Sequence, residues 1–425
     1  GEPIYVLLML FSCLSSFIHG ILIDKYRGTK WSRVWLISSV TTSMLLLGFF
    51  KYSDFFIYNV NSIFKSDIAL LGIALPIGIS FFTFQTLSYT IDVYRGDAKV
   101  QKSFVRLATY VALFPQLIAG PIVRYTTIEE DLSKRTHSFD KFGEGATRFV
   151  LGLAKKVLIA NVLYEFCETF RASGDKSVVF YWLYAIAFSL HIYFDFSGYS
   201  DMAIGLGKIF GFRFLENFNY PYISRSVAEF WRRWHMSLGT WFRDYVYIPL
   251  GGNRVSKARW FFNTLVVWLF TGFWHGAAWT FIIWGLYFAA FLLLEKFFLA
   301  KFFEKLPRVF SHVYVLLAVA ISFVVFNAAD MTEAINDIGG MFGALDIPFW
   351  SKETAYYLSS YAVLFVIAIF GATPAAKNAV LKLKEKKAIC NVIDVLEPIA
   401  DVVLLVLITA CLVNGSFNPF LYFRF

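Results

Sequence analysis

Charge is scarce in this chain: only 16% of its 425 residues are Asp, Glu, Lys or Arg, where a soluble globular protein has about a quarter. That shortage, with 58% hydrophobic residues and a mean hydropathy of +0.59, excludes a soluble enzyme and a disordered or fibrous chain. Cysteine is equally thin. Cys13, Cys167, Cys390 and Cys411 are scattered without CxxC spacing, so neither a disulfide framework nor a zinc or other metal site is expected. The long apolar runs are too strongly hydrophobic for the alternating strands of a transmembrane β-barrel. No Met and no basic n-region opens the chain, which starts Gly-Glu-Pro. That start predicts no signal peptide and a missing native N-terminal segment. Internal repeats, low-complexity tracts and Gly/Ser linkers are absent as well, so one integral-membrane domain over 1–425 is expected.

What remains is a polytopic all-α membrane protein. A crossing of the hydrocarbon core needs about twenty apolar residues. Runs 4–23, 34–50, 68–91, 178–194, 264–294, 309–328, 355–372 and 398–413 qualify. Runs 104–122, 147–163 and 202–214 are shorter or carry charge, as re-entrant or interfacial segments do. The sum is about ten or eleven transmembrane or re-entrant helices.

The net charge is 39 − 30 = +9, but the positives form short clusters between apolar runs rather than one stripe. No nucleic acid partner is expected; membrane lipids are. Lys25, Arg27, Lys30 and Arg33, and later Lys382, Lys384, Lys386 and Lys387, mark cytoplasmic loops by the positive-inside rule. The helix at 398–413 then emerges outside, followed by an extracytoplasmic aromatic tail, 414–425.

Three loci could hold chemistry. Residues 264–294 contain no Asp, Glu, Lys or Arg and one histidine, His275, in Thr-Gly-Phe-Trp-His-Gly. An ionisable residue inside a membrane segment is a functional candidate, and a neutral imidazole there can act as a base. Gly272 and Gly276 allow close approach of backbone or substrate. The residues alone leave open a histidine that only bonds a neighbouring helix. The second locus, 229–254, reads as a helix with Trp231, Trp234, His235, Leu238, Trp241, Phe242 and Tyr245 on one face. Arg232 and Arg243 fall eleven residues apart and point the same way, and Pro249 with Gly251-Gly252 ends the helix. It is either an interfacial helix among headgroups or one whose arginines hold a phosphorylated ligand while His235 faces inward. The third locus runs from His191 to Asp201. His191 and Asp195 share a helix face, but further ligands at fixed spacing are missing, so a polar cavity lining is preferred to a metal. Gly198, Gly205 and Gly207 would allow a broken helix there.

Taken in order, Tyr193-Phe-Asp-Phe-Ser-Gly-Tyr-Ser-Asp-Met-Ala-Ile-Gly205, Phe230-Trp-Arg-Arg-Trp-His235, Tyr247-Ile-Pro-Leu-Gly-Gly-Asn-Arg254 and Trp274-His-Gly276 closely resemble the membrane-bound O-acyltransferase (MBOAT) family, in its bacterial alginate O-acetyltransferase branch. Pro76-Ile-Gly-Ile-Ser-Phe-Phe, Ile91-Asp-Val-Tyr-Arg-Gly96 and Ala119-Gly-Pro121 are similar to the same branch. The chain departs at its start, where relatives have a further hydrophobic segment. The resemblance implies a helical bundle with a central tunnel in a bacterial cytoplasmic membrane. It further implies His275 as the catalytic residue, His235 as its second histidine, and acetyl-coenzyme A as a cytoplasmic donor with no tightly bound cofactor. The acceptor would be an extracytoplasmic polysaccharide, reached through a partner such as an SGNH-type acetyltransferase. Arg232, Arg233 and Arg243 are candidates for the donor's phosphates, and Asp195, Ser197, Tyr199, Asp201, Trp274 and Asn253 for the tunnel lining. Tyr422 is the only hydroxyl in the final nine residues, in a segment similar to the C-terminal motif of the partner peptide in teichoic-acid D-alanylation. It is a candidate acyl carrier, against a plain aromatic anchor. D-alanyl transfer to teichoic acid, acylation of a protein, a lipid or glycan transporter and a scaffold for an exopolysaccharide complex are the alternatives.

Overall fold

The computed structural model describes residues 3–118, 120–414 and 420, and every regular element among them is a helix. Two compact units interleave along the chain: residues to 145 with 203–215, and 146–202 with 216 onward.

In the first unit α1 (Pro3–Lys25) and α2 (Lys30–Phe64) form a hairpin whose turn puts Gly28 at φ 82°. α3 (Ile79–Arg95) is buried on nearly every side and packs on both. The apolar run 68–91 is therefore not one span. Lys65, Gly72 and Gly78 all take positive φ, and the Asp54 carboxylate accepts from the amides of Leu71 and Gly72 at 2.7 and 3.0 Å. Those bonds satisfy backbone groups that a helix would have paired internally. α4 (Phe104–Val111), α5 (Phe114–Leu117) and α6 (Tyr125–Ile128) are short, which breaks the run 104–122.

α7 (Phe139–Ala154) continues through a π-helical stretch, Lys155–Ala160, into α8 (Asn161–Ala172). α9 (Val178–Ile209) is one helix of 32 residues, so the runs 178–194 and 202–214 belong together and the glycines do not break it. Gly198 instead lets α7 close in: a Cβ there would lie 2.7 Å from the Gly152 carbonyl oxygen, and one on Gly152 2.6 Å from that of Gly198. α10 (Val227–Arg233) and α11 (Met236–Phe242) replace the single helix expected over 229–247. The run 264–294 is likewise two antiparallel helices, α12 (Lys257–His275) and α13 (Trp279–Leu294), broken at the extended Gly276. α14 (Ala300–Phe303), α15 (Arg308–Asn327), α16 (Met331–Met341), α17 (Lys352–Gly371), α18 (Ala375–Lys384) and α19 (Lys387–Asn414) complete the chain.

Among the described residues, seven helices are long and apolar enough to cross a membrane: α1, α2, α9, α13 with its π-helical extension, α15, α17 and α19. Lipid tails are as apolar as leucine, so helix association here rests on close packing. In the second unit that packing is aromatic. Phe170 stacks on Tyr184 with centroids 4.5 Å apart, Phe230 on Trp234 at 5.5 Å, and Trp284 meets Phe288 edge-on at 5.3 Å.

Candidate active site

His275 is the last residue of α12, and the α12–α13 crossing fixes where it stands. A Cβ on Gly272 would lie 2.3 Å from the Phe281 carbonyl oxygen, and one on Gly285 2.3 Å from that of Trp268. The two backbones therefore touch one turn before His275. The imidazole is 4% exposed. Trp274 and Trp284 meet it edge-on at 5.0 Å each and Phe326 at 5.5 Å.

His235 arrives from a different element. It occupies the turn between α10 and α11 at φ 44°, ψ 52°, where the continuous helix was expected. Asn217 holds this turn: its Oδ1 accepts from the Ser237 amide at 3.1 Å and the Ser237 hydroxyl at 2.9 Å, and lies 3.3 Å from His235 Nδ1. Burial lowers the His235 pKa to about 3, so the ring is neutral at physiological pH. Phe196 packs on it at 4.7 Å and Trp274 at 6.1 Å. Trp274 thus touches both histidines.

The direction of α10 is set by two capping side chains at its start. Ser226 accepts from the Glu229 amide at 2.9 Å, and the Glu295 carboxylate, one residue past α13, accepts from the amides of Val227 and Ala228. These caps fill the free N–H groups of the first turn. Arg232 then points into a cavity of about 1110 Å³ that is bordered by five cations, Arg225, Arg232, Arg243, Lys296 and Arg308, and by Glu295 and Glu304. Its long wall is one stripe of α12: Trp260, Thr264, Val267, Trp268 and Thr271. The next position on that stripe is His275, one turn further. His235 borders the cavity directly.

The other expected residues divide. Arg243 borders the cavity and also pairs with Asp244 at 2.6 Å. Arg233 does not border it; its guanidinium is tied to Glu229 at 3.0 Å and to the Asn219 carbonyl at 3.1 Å, so it fixes the α10 turn. None of the six residues expected to line a tunnel borders this cavity. Asp195 pairs with Lys156 at 2.6 Å, and Asp201 with Lys155 at 2.6 Å and Arg148 at 2.8 Å, across the Gly152–Gly198 contact. Ser197 is buried, Trp274 lies between the histidines, and Asn253 is exposed. The turn beside Asn253 is held by Asn263, which donates to the carbonyls of Leu250 and Gly252 at 3.1 and 3.2 Å. His191 Nδ1 lies 2.9 Å from the Ala160 carbonyl oxygen. Tyr199 meets the ring of Phe420 at 4.9 Å, and Lys156 Nζ lies 4.6 Å from the centroid of the same ring. Tyr422 lies outside the described residues.

Asn217, Arg225, Lys296 and Arg308 went unmarked in sequence. Asn217 lies eighteen residues before His235 with no motif to link them. The other three belong to none of the motifs singled out in sequence.

The family model of MBOAT, the membrane-bound O-acyltransferase family, matches residues 97–330. A probable alginate O-acetylase AlgI of Azotobacter vinelandii is 40% identical, covering 93% of this chain and 86% of its own. A peptidoglycan O-acetyltransferase of Helicobacter pylori is 33% identical over 89% of this chain and 78% of its own. A teichoic acid D-alanyltransferase of Bacillus subtilis is 32% identical over 52% of this chain and 59% of its own.

Proposed function

This chain belongs to the membrane-bound O-acyltransferase family, in its alginate O-acetyltransferase-like branch, and on that premise we propose that it passes an acetyl group from cytoplasmic acetyl-coenzyme A toward a hydroxyl of an extracytoplasmic polysaccharide. It is a multi-pass membrane O-acyltransferase. The observation that carries the finer reading is the cavity, which is bordered by five cations and follows α12 to within one turn of His275. The cations suit the phosphates of coenzyme A, and the aromatic walls suit its thioester arm. The segment 295–308 bears Lys296, Lys301, Lys305 and Arg308 against Glu295 and Glu304, the signature of a cytoplasmic loop. Two crossings later, through α15 and α17, comes the equally basic α18. This agreement supports donor entry from the cytoplasm and residence in a bacterial cytoplasmic membrane.

In this mechanism His275 takes the proton of the attacking hydroxyl, while His235, neutral and fixed by Asn217, orients the thioester. Acetyl is favoured over D-alanyl because the O-acetyl relatives match at higher coverage than the D-alanyltransferase. Labelled acetyl-coenzyme A consumption by the purified protein tests the reading against transporter and scaffold.

Arg232→Gln and Arg243→Gln are each expected to weaken acetyl-coenzyme A binding on the order of tenfold, with a loss that shrinks in high salt. Titration calorimetry at two ionic strengths reads this. Unchanged affinity at both would move the donor elsewhere.

Tyr422 completes the proposed route. His275 takes its phenolic proton as the oxygen attacks the thioester, and the resulting phenyl ester hands acetyl to an extracytoplasmic SGNH-type partner. Tyr422→Phe should abolish polymer acetylation with normal membrane insertion, and the wild-type terminal peptide should carry an adduct of about 42 daltons, one acetyl group. Full polymer acetylation by the variant would remove the carrier step.

A further inference from the structure

Two neighbouring indole N–H groups in the second unit meet no acceptor among the described residues. Trp231 Nε1 and Trp284 Nε1 are both buried without a hydrogen-bond acceptor among the described residues. A donor stripped of water and given no partner is uncommon, because the lost bond is not replaced. By contrast, Trp182 donates to the Met341 carbonyl and Trp260 to the Tyr247 hydroxyl, both at 2.8 Å.

The two orphans are also neighbours. Their ring centroids lie 5.6 Å apart. Trp231 borders the cavity, and Trp284, 1% exposed, meets the His275 ring at 5.0 Å. Packing holds both rings: Trp231 lies against Trp268 at 4.7 Å and Phe288 at 4.9 Å, Trp284 against Phe288 at 5.3 Å and Phe326 at 5.1 Å. Neither can swing to find an acceptor in the fold without breaking that packing. The two rings therefore form a continuous path from the cavity wall to His275.

We propose that Trp231 and Trp284 form the oxyanion hole of this enzyme, an assignment that rests on the reading of His275 as base toward a thioester donor. As the acceptor oxygen bonds to the carbonyl carbon, His275 takes the hydroxyl proton and the C=O π pair moves onto oxygen. The two indole N–H groups meet that developing charge. The pair then returns, the C–S bond breaks, and the thiolate leaves with the proton held on His275, giving the ester and free coenzyme A. Donors that are already in place need no reorganisation when charge appears, which is what makes such a site effective. The same geometry accounts for two N–H groups kept dry and unpaired in the resting protein.

Phenylalanine retains an aromatic ring and removes the N–H. Trp231→Phe and Trp284→Phe should each lower kcat on the order of a hundredfold, with KM for acetyl-coenzyme A and detergent Tm close to wild type. Unchanged kcat in both variants overturns the assignment, as does a loss matched by a fall in Tm. A second measurement needs no turnover. In a His275→Ala background, the infrared C=O stretch of bound acetyl-coenzyme A should sit at lower frequency with both tryptophans than with either phenylalanine. An identical stretch in all three also overturns the proposal. Wild-type protein that does not consume acetyl-coenzyme A would instead sink the donor reading itself; normal turnover with silent tryptophan variants would sink only the oxyanion hole.

Discussion

Replacing His275 with alanine should abolish acetyl transfer while leaving the protein folded. General base catalysis supplies about 10²–10⁴-fold, and no Asp, Glu or Lys stands within the α12 stripe to take over. The imidazole is enclosed by Trp274, Trp284 and Phe326, so alanine leaves a void and costs some stability. His275→Gln fills most of that space without a base, and it separates lost packing from lost chemistry. Both variants should bind acetyl-coenzyme A as wild type does, since His275 is not among the residues that border the cavity whereas the five cations are. Single-turnover assays with labelled donor give the result. A variant keeping more than about a tenth of wild-type turnover would leave too little for general base catalysis and would remove His275 from that role.

A comparable loss is expected from Gly272→Ala, a change of one methyl group. Its Cβ would lie 2.3 Å from the Phe281 carbonyl oxygen and 3.2 Å from the Gly285 Cα. Both obstacles are backbone and cannot turn aside. α12 and α13 must part by about an ångström, and overpacking of this kind costs typically 1–3 kcal/mol. The effect on rate should be larger, because His275 is three residues on, and a displacement of about 1 Å can cost on the order of a hundredfold. Gly48→Ala is the control: nothing lies within 4 Å of that Cβ, and alanine in a helix interior is favoured by about 0.5–1 kcal/mol. Thermal unfolding in detergent and acetyl transfer should both fall for Gly272→Ala and stay level for Gly48→Ala. Equal behaviour of the two would mean that the crossing does not position the histidine.

The sequence made the class of fold plain because hydropathy is local: α1, α15, α17 and α19 could each be seen in their own residues. It failed where tertiary partners decide. Residues 264–294 are uniformly apolar, so nothing local distinguishes one long span from a hairpin; the break at Gly276 follows from Gly272 and Gly285 meeting across helices. Residues 229–247 show good helical periodicity, yet Asn217, from outside that segment, bonds the turn and splits it at His235. The ion pairs of Asp195 and Asp201 were invisible because their partners, Lys155, Lys156 and Arg148, lie some forty or more residues away in sequence. His275 stood out for the opposite reason, as the one histidine in a long stretch without an acid, lysine or arginine.

The backbone of His235 also bears on how this site can change over generations. At φ 44° and ψ 52° the residue occupies a conformation that costs most side chains about 1–2 kcal/mol, whereas asparagine, aspartate and histidine enter it more readily. On the proposed role of His235, the position is screened twice, once for an imidazole and once for a chain reversal. A lineage that abandoned acyl transfer would lose the first screen and keep the second. Drift there should run toward glycine or asparagine rather than across the full alphabet, and a relative bearing Asn at this position would record a lost activity inside an intact fold.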